Sequence, residues 1–191
     1  MFARGIDARD SFGTGKGLTL ARIKKQAVVA EAATIAENAE KLRDIVCCQQ
    51  AAGKRVVMAN GKFDLLHVGH TRLLKDAKSR GDYLVVAVNS DESVQNYTQN
   101  TDLPIQCEGE RMEVVAAIRW VDYVVKFDEA TADEVIRAIQ PDIVAKGTDY
   151  TEETVPERET IAEYGGAIAI CGDEKDHASS QIISRINDLK S

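Results

Sequence analysis

Residues 54–78 read KRVVMANGKFDLLHVGHTRLLKDAK. The apolar run over residues 54–59 predicts a short buried strand, and the spacing of apolar residues over 71–78 predicts an amphipathic helix. The turn between them holds His67 and His70, two of the three histidines in the chain. In an open α/β sheet, ligands bind where the carboxyl end of a strand leads into a helix. Because a helix start has unpaired N–H groups and the positive end of the dipole, this turn is predicted to bind phosphate.

The side chains in this turn suit an anionic ligand. Residues three apart lie on one face of a helix, so His67 and His70 are expected to point at one bound group. Gly69 between them lacks a Cβ and lets a ligand approach the backbone, and Gly61 does the same across the turn. Together with the positive charge of Lys62, these groups would stabilise the negative charge that develops in phosphoryl or nucleotidyl transfer.

The same loop contains a carboxylate. Asp64 is expected to fasten the loop by accepting bonds from backbone N–H groups. The alternative interpretation is a structural loop in which both histidines are incidental. The chain has only three histidines, and two of them lie in this one turn. The sequence therefore favours a functional site over a purely structural loop.

The composition indicates a soluble globular protein. The chain has 191 residues, of which 44% are apolar and 29% charged, and this suits one domain of ordinary size with an appendage. Its net charge of −7 argues against a nucleic-acid partner, which usually meets a basic face. No run approaches the ~20 apolar residues of a membrane span, so no membrane association is expected.

Two further features predict a cytoplasmic location. The basic residues near the start of the chain are not followed by the apolar segment of a signal peptide. The four cysteines form no C-x-x-C pair, and two of them are adjacent, which makes a poor disulfide framework. Reduced thiols are therefore predicted. No zinc site is predicted at Cys171 and His177, because a third ligand is lacking nearby.

The N-terminal quarter is predicted to be an extension, residues 1–50. Residues 1–17 lack periodicity and predict a disordered start, and GTGKG at 13–17 lacks the spacing of a phosphate-binding loop. Residues 18–50 predict a long alanine-rich helix with a narrow apolar stripe. The stripe fits a helix packed on its own domain, with a homodimer contact as the alternative. A second domain is predicted over residues 51–191.

That domain alternates strands and helices. Beyond the first strand, apolar runs predict strands over residues 83–88, 123–125, 143–145 and 167–170. Runs without polar alternation are typical of parallel strands covered on both faces. Helices are predicted between the strands, joined by short links that imply right-handed crossovers. The predicted fold class is therefore α/β: a Rossmann-like, doubly wound, five-stranded parallel sheet with an N-terminal helical extension.

The later strands bring further polar side chains to the ligand-binding edge. Asn89 and Asp91 follow the second predicted strand, and Lys146, Gly147 and Asp149 follow the fourth. A lysine at this edge is a candidate phosphate partner, although a solvated lysine at a strand end is the alternative. These five residues are therefore predicted to lie near the histidine turn.

Residues 61–70, GKFDLLHVGH, resemble the G-x-F-D-x-x-H-x-G-H signature of the cytidylyltransferase-like nucleotidyltransferases. Within these enzymes the resemblance points to the heptose-1-phosphate adenylyltransferase branch, and it extends from about Lys54 to Ile186. It implies catalytic roles for three residues: His67, His70 and Lys62. It also implies nucleotide binding by a second group: Asn60, Gly61, Phe63, Asp64, Gly69, Asn89 and Asp91.

Three later segments resemble other motifs of the family. Residues 111–124, RMEVVAAIRWVDYV, resemble R-x-E-V-x-x-A-x-x-x-V-D-Y-V, and residues 141–150, PDIVAKGTDY, resemble P-D-x-x-x-K-G-x-D-Y. Residues 178–186, ASSQIISRI, are similar to the closing motif S-T-T-x-x-I-x-x-I. The resemblance implies binding of the distal nucleotide phosphates by Ser179 and Ser180. It implies substrate or phosphate binding by a further set: Arg111, Arg119, Asp122, Lys146, Gly147 and Asp149.

Some of these residues have alternative interpretations. Arg119 and Asp122 would equally suit a salt bridge at a helix end, because structural ion pairs are common. Ser179 would equally suit an N-cap, a role that is compatible with phosphate binding. Asp149 is a candidate for binding sugar hydroxyls or magnesium.

The chain departs from the family where a basic run is usual. Heptose adenylyltransferases usually carry K-R-x-K-G-x-x-R-P after the second strand, whereas residues 95–104 read QNYTQNTDLP. No Lys or Arg lies between Arg80 and Arg111, but six acidic residues do. Ala178 also replaces the first hydroxyl of the closing motif. Losing lysines that face phosphates would weaken transition-state stabilisation unless other groups replace them.

The resemblance implies a nucleotidyltransferase. Its expected reaction joins a sugar 1-phosphate, heptose 1-phosphate in the first instance, to a nucleoside triphosphate, ATP, and releases pyrophosphate. Mg²⁺ accompanying ATP is the implied cofactor, with no protein ligand assigned beyond the candidate Asp149, and the product would feed lipopolysaccharide or another surface glycan. Two alternatives stay open. One is a cytidylyltransferase using CTP and glycerol 3-phosphate, and the other is a catalytically weak nucleotide-binding module that oligomerises through its N-terminal helix.

Overall fold

Parallel strands form the centre of the molecule. The computed structural model describes residues 32–174 and 176–189, within a compact unit that spans Ala32–Ser191. In chain order the strands are β1 (Thr34–Ile35), β2 (Val56–Gly61), β3 (Tyr83–Asn89), β4 (Tyr123–Phe127), β5 (Ile143–Gly147) and β6 (Ala167–Cys171). The helices are α1 (Ala39–Ala51), α2 (Val68–Ser79), α3 (Asp91–Thr98), α4 (Glu108–Ala116), α5 (Asp133–Ile139), α6 (Arg158–Glu163) and α7 (Ser179–Asp188).

The strands form one parallel sheet in the order β1-β4-β3-β2-β5-β6. In the centre, Val57 of β2 pairs with Leu84 of β3 on one side and with Ile143 of β5 on the other. The chain therefore winds outward in one direction through β3 and β4, and in the other through β5 and β6. At such a switch point the carboxyl ends of the strands open a crevice in which ligands bind.

The sheet is covered on both faces, as its apolar strands predict. Val85 of β3 belongs to one buried cluster, together with Leu42 of α1. Val86, the next residue of the same strand, belongs to a second buried cluster with Leu74 of α2. Because successive strand residues point to opposite faces, the two clusters lie on the two sides of a doubly wound sheet. The predicted α/β fold class is confirmed.

The sheet has six strands, and the prediction of five is wrong by one. The additional strand, β1, lies inside residues 18–50, which were predicted to be helical. It pairs with Tyr123 and Val124 at the edge of β4. The free edge of a strand offers backbone hydrogen bonds, and such tertiary pairing overrides the weak helical preference of an alanine-rich segment.

Helix α1 begins only at Ala39. The side chain of Asn38 accepts a hydrogen bond from the Lys41 N–H at 2.9 Å, which is the usual N-cap arrangement. Leu42 and Val46 of the predicted apolar stripe are buried, but Ile35 is 46% exposed. The stripe therefore does not continue through β1, and α1 packs on the sheet of its own unit.

The compact unit thus begins at Ala32, whereas the sequence-based boundary lay between residues 50 and 51. The predicted disordered start and the first part of the predicted long helix lie outside the described residues. Among residues 32–174 and 176–189, every helix is too short or too polar to cross a membrane.

Candidate active site

The loop after β2 positions the histidine pair. β2 ends at Gly61, and α2 begins at Val68 with His67 as its extended N-cap residue. The backbone N–H of His67 donates a hydrogen bond to Nδ1 of His70 at 3.3 Å. The centroids of the two imidazole rings lie 3.9 Å apart, and the ring planes are tilted by 38°. The pair is therefore held together at the helix start, as the three-residue spacing predicted.

The same hydrogen bond determines the tautomer of neutral His70. Because Nδ1 accepts a hydrogen bond, the proton of the neutral ring lies on Nε2. Burial, and secondarily the charge of His67, lowers the pKa of His70 to about 4, against an opposing effect of Asp64. At neutral pH, His70 is therefore an uncharged ring with an Nε2–H donor, and it adds no positive charge to the site.

Gly69 is required by the packing of its neighbours. A Cβ at this position would lie 3.0 Å from Cε1 and Nδ1 of His67, and 3.6 Å from the Cβ of His177. A side chain at residue 69 would therefore displace the His67 ring. The structure thus adds a second reason for this glycine, beside the close approach of a ligand that the sequence suggested.

Two residues of the loop adopt a backbone conformation that side chains disfavour. Phe63 and Leu65 have φ values of 50° and 48°, in the left-handed region. Such conformations persist only where the surrounding structure holds them. Phe63 is buried, and the Leu65 N–H donates to Oε1 of Gln106 at 3.2 Å. The sequence carried no signal of this conformation, because neither residue is a glycine or an asparagine.

Asp64 fastens the histidine loop to a second loop. Its carboxylate accepts hydrogen bonds from the backbone N–H groups of Ile105 at 2.8 Å and Gln106 at 3.1 Å. Acceptance of backbone N–H bonds was expected from the sequence, and the structure confirms it. Since each carboxylate oxygen is bonded to the protein, Asp64 holds the loop in shape.

Arg111 connects three segments around the site. Its side chain is buried, with Nε donating to the Gln106 carbonyl at 3.0 Å and Nη1 to the Lys62 carbonyl at 2.5 Å. Nη2 donates to the Asn89 carbonyl at 2.7 Å and to the Asp91 carboxylate at 2.8 Å. Four of its five N–H donors are thus bonded to protein. These bonds give Arg111 a positioning role, and its contact with a substrate phosphate stays a prediction.

Asn89 and Asp91 belong to the same framework. Nδ2 of Asn89 donates to Oγ of Ser93 at 2.9 Å, and the Asp91 N–H donates to Oε2 of Glu108 at 2.9 Å. Both residues therefore stabilise the end of β3 and the start of α3, in addition to their contacts with Arg111.

Lys146 lies near the end of β5 in a buried ion pair. Its Nζ lies 2.8 and 2.7 Å from the two carboxylate oxygens of Glu157, and it donates to Oδ1 of Asn60 at 2.9 Å. Both charged side chains are almost completely buried. The charge of Lys146 is therefore balanced within the protein. The alternative of a solvated lysine at the strand end is wrong.

Ser179 begins α7 and contacts the histidine loop. Its hydroxyl donates to the Asp64 carbonyl at 2.7 Å. The N-cap residue of α7 is Ala178, which has no side-chain acceptor, so the alternative of Ser179 as an N-cap is wrong. Ser180 follows on the exposed side of the helix start. The two hydroxyls of the closing motif thus lie beside the loop that carries the histidines.

Two predicted site residues lie near the amino ends of the strands, on the side of the sheet away from the histidine pair. Asp122 precedes β4, and its Oδ2 accepts hydrogen bonds from the Leu84 N–H at 2.7 Å and from Nζ of Lys78 at 2.5 Å. Arg119 is exposed, with its guanidinium 5.9 Å from the centroid of the Trp120 ring. The amino ends of strands face away from the carboxyl ends, so the structure does not bring Arg119 and Asp122 to the histidine pair. The salt bridge of Asp122 is made with Lys78, and not with Arg119 as the alternative interpretation had it.

Three cavities share lining residues, two of them are lined by His70, and we call the three together the cleft. Their volumes are about 370, 300 and 410 Å³, and Lys62 and Leu73 line all three. The cleft brings together a large set of predicted residues: Asn60, Gly61, Lys62, Phe63, Asp64, His67, Gly69, His70, Asn89, Lys146, Gly147, Asp149, Ser179 and Ser180. The sequence motifs, which are far apart in the chain, therefore converge on one place.

Other residues line the cleft without having been predicted. Tyr97, Tyr150 and Glu157 line the cavity that contains Lys146, and His177 lines the cavity that contains His67 and His70. Tyr150 closes the P-D-x-x-x-K-G-x-D-Y segment, which was an available signal. His177 lies two residues before Ser179 and was considered only as a zinc ligand. Glu157 had no motif to mark it.

Metal-binding groups were also sought around the cleft. Within residues 32–174 and 176–189, no group of three or more His, Cys, Asp or Glu side chains is arranged to hold a metal ion. The carboxylates of Asp64 and Glu157 are bonded to protein donors.

Known proteins are similar to this chain in sequence and fold. The family model described as cytidylyltransferase-like matches residues 58–185. The bifunctional protein HldE of Syntrophotalea carbinolica is 42% identical over 149 residues, which cover 78% of this chain and 30% of that protein. The bifunctional protein HldE of Geobacter sulfurreducens is 39% identical over 150 residues, with the same coverage of 78% and 30%.

A solved structure agrees with this relationship. The lipopolysaccharide core biosynthesis protein from Thermoplasma volcanium superposes with a TM-score of 0.54 at 30% identity, covering 64% of this chain and 100% of that one. The chain spans about 30% of the length of the curated relatives it matches. Since the family model covers well over half of the chain, including the histidine turn and the start of α7, this protein belongs to the cytidylyltransferase-like family of nucleotidyltransferases.

Proposed function

We propose that the protein transfers a nucleotidyl group from a nucleoside triphosphate to a sugar 1-phosphate and releases pyrophosphate. The observation that carries this proposal is the pair of imidazoles at the start of α2, 3.9 Å apart, in the same cavity as the start of α7. Two helix starts and two imidazoles around one cavity suit a chain of phosphates.

The reaction needs positioning more than acid–base chemistry. An oxygen of the sugar phosphate attacks the α-phosphorus of the nucleotide, a new P–O bond forms, and the bond from the α-phosphorus to the bridging oxygen breaks. The nucleophile is already anionic, so no strong general base is required. In this proposal His67 and the Nε2–H of His70 donate hydrogen bonds to the α- and β-phosphate region.

Lys62 is the cation proposed to contact phosphate directly. It is exposed and lines all three cavities of the cleft. Lys146 lines one of the same cavities, but its charge is balanced by Glu157. We therefore assign Lys146 to the positioning of Asn60 and to a weaker electrostatic contribution, rather than to the principal phosphate contact that the family resemblance implied.

The distal phosphates are assigned to the start of α7. Ser180 is exposed towards the cleft and can donate its O–H to a phosphate, whereas the O–H of Ser179 is donated to the Asp64 carbonyl, so Ser179 contributes through its place at the helix start. The backbone N–H groups of a helix start add further donors. Ala178 is the N-cap residue of α7, and a serine or threonine hydroxyl at this position would cap the helix.

Mg²⁺ is proposed to enter as part of the metal–nucleotide substrate. Mg²⁺ is usually held by one or two carboxylates together with substrate phosphates, and not by an all-protein cage. Since no group of three or more His, Cys, Asp or Glu among the described residues is arranged to hold a metal ion, the proposal assigns no protein ligand to Mg²⁺. Binding of the nucleotide would therefore bring the metal with it.

The proposed substrates are ATP and heptose 1-phosphate. Support for them comes from the G-x-F-D-x-x-H-x-G-H segment, from relatives named bifunctional protein HldE, and from a structural neighbour named for lipopolysaccharide core biosynthesis. The proposed product would serve the synthesis of lipopolysaccharide or another surface glycan.

A pyrophosphate-release assay tests this function. ATP, CTP, GTP and UTP would each be supplied with heptose 1-phosphate or glycerol 3-phosphate, using the full chain with Mg²⁺. Turnover with ATP and heptose 1-phosphate is expected. Turnover confined to CTP with glycerol 3-phosphate would change the proposed substrates but leave the proposed nucleotidyl transfer unchanged. Micromolar nucleotide binding without turnover in any substrate combination would overturn the proposed enzymatic function and favour a nucleotide-binding module.

A further inference from the structure

The third histidine of the chain shares a cavity with the other two. His177 lies in the loop between β6 and α7, two residues before Ser179. It lines the cavity of about 370 Å³ that also contains His67 and His70. A Cβ built at Gly69 would lie 3.6 Å from the Cβ of His177 and 3.0 Å from the His67 ring, so both histidines adjoin this glycine.

The loop that carries His177 is fixed from two sides. The guanidinium of Arg72 on α2 pairs with Asp173 and lies 3.9 Å from the carboxylate of Asp176. The Gly172 N–H donates to Oδ2 of Asp76 at 3.0 Å, which is a second tie to α2. Oγ1 of Thr148, after β5, donates to the Asp173 carbonyl at 2.7 Å. These contacts hold Gly172 and Asp173 against α2 and the end of β5, and place Asp176, the neighbour of His177, beside Arg72.

Among residues 32–174 and 176–189, Asp176 contacts one ring nitrogen of His177 and the other is left for a ligand. Nε2 lies 3.2 Å from Oδ1 of Asp176, and the side chain is 40% exposed. In the protonated ring, Nε2–H donates to Asp176 and Nδ1–H is left as a donor. The alternative interpretation is a surface ion pair between His177 and Asp176. An ion pair alone does not account for the position of the His177 ring in the cavity that contains His67 and His70.

The charges around the cleft indicate why a hydrogen-bond donor at His177 would matter. The chain has no Lys or Arg between Arg80 and Arg111, and Lys146 is neutralised by Glu157. Asp173, Glu174 and Asp176 line the same cavity as His177 and would repel a phosphate chain. A site for a highly charged anion therefore needs donors other than Lys62 close to the start of α7.

We propose, on the basis of the transfer reaction proposed above, that His177 binds the β- and γ-phosphates of the nucleotide and hence the departing pyrophosphate. It supplies from the β6–α7 loop a donor that stands in for the basic run absent from residues 81–110. No proton is transferred in this role: His177 is a binding residue for the leaving group. The nucleotidyl transfer itself depends on the histidine pair of α2.

Inorganic pyrophosphate is the probe for this proposal, because it contains the leaving group without the base or the sugar. Its affinity would be measured by calorimetry, with Mg²⁺, for the full chain and for His177→Ala, His177→Lys and Asn187→Ala. We expect His177→Ala to weaken pyrophosphate binding about 5- to 20-fold, the range of a hydrogen bond to a charged group. His177→Lys, which restores a donor, should recover most of the affinity. Asn187→Ala, on the exposed part of α7, should bind like the unmodified chain.

Kinetics separate this role from a merely structural one. His177→Ala should raise KM for the nucleotide while kcat changes by less than about threefold, because only binding of the distal phosphates is weakened. Equal pyrophosphate affinity in His177→Ala and the unmodified chain would overturn the proposal. Loss of affinity in His177→Ala without recovery in His177→Lys would also overturn it, since a general disturbance of the loop would then be the cause.

The binding experiment does not require turnover. If the transferase activity fails in every substrate combination, calorimetry still decides whether His177 contacts pyrophosphate. If turnover is found and pyrophosphate affinity does not respond to residue 177, only this further inference is lost.

Discussion

The backbone N–H of His67 donates to Nδ1 of His70 at 3.3 Å, and this bond leaves the proton of the neutral His70 ring on Nε2. The two tilted rings, with centroids 3.9 Å apart, therefore present different chemistry although their residue types are identical. His70 is a neutral donor whose orientation is set by its neighbour's backbone. This arrangement makes the two histidines separately testable.

Substitution of either histidine should remove most of the activity. We expect His67→Ala and His70→Ala each to lower kcat by about 10²-fold or more, because a preorganised donor to the developing charge is lost. His70→Gln, whose amide can present an N–H group, should retain more activity than His70→Ala. The measurement is pyrophosphate release, with circular dichroism to verify folding. Near-normal rates in both alanine variants would exclude the pair from the mechanism.

The stability of the protein should depend on pH through His70. Its pKa is lowered from 6.5 to about 4 by burial and the charge of His67, so the unfolded chain takes up a proton at residue 70 before the folded chain does. The free energy of unfolding should therefore fall as the pH drops from about 6.5 to about 4, with no further loss from this group below that window. Urea unfolding across this range should show a smaller pH dependence in His70→Asn. Superimposable pH profiles for the two proteins would contradict the assignment, and NMR titration of the ring provides an independent measurement.

Gly69→Ala should disturb the site without unfolding the protein. The added methyl would lie 3.0 Å from two atoms of the His67 ring, so this ring must move. We expect kcat to fall by about 10-fold or more, since misplacement of a catalytic group by about 1 Å can cost 10²-fold. Gly109→Ala is a matched control, because a Cβ at residue 109 meets nothing within 4 Å. Equal rates in the two variants would show that the His67 ring has room to adjust.

Arg111→Met should destabilise the fold, whereas Arg119→Met should not. The guanidinium of Arg111 is buried and donates to three carbonyl groups and the carboxylate of Asp91. We expect a loss of about 3–5 kcal/mol in the free energy of unfolding, as for the removal of one member of a buried charged network. Arg119 is exposed, and its substitution should change stability by no more than about 0.5 kcal/mol. Urea denaturation measures both, and equal effects would contradict the assignment of Arg111 as the connecting residue.

The Lys146–Glu157 pair lends itself to a double-mutant cycle. Both side chains are almost fully buried, so Lys146→Met or Glu157→Leu alone should cost about 3–5 kcal/mol by leaving a charge uncompensated. The double substitution should cost much less than the sum of the two, because no charge is then left buried. Additive losses would show that the two residues act independently. If the double variant also keeps its KM for the nucleotide, Lys146 has no principal role in binding phosphate.

The sequence by itself determined the local features of this protein. Apolar runs predicted five of the six parallel strands, and the three-residue spacing of His67 and His70 placed both on one helix start, because strand and helix periodicities act over a few neighbouring residues. The motif order also placed Lys62 and Ser179 at one edge of the sheet. These features required no knowledge of distant contacts.

Only the tertiary structure decided which charged groups face a ligand and which face the protein. Arg111 is bonded to the Lys62 carbonyl, 49 residues away, and Lys146 to Asn60, 86 residues away. Asp122 is bonded to Lys78 near the amino ends of the strands. Strand β1 forms where a helix was predicted, because the free side of β4 offers it backbone hydrogen-bond partners. The physical reason is common to all of them. A buried charge or an open strand edge is satisfied by whichever partner the fold brings near, and sequence spacing does not report such partners.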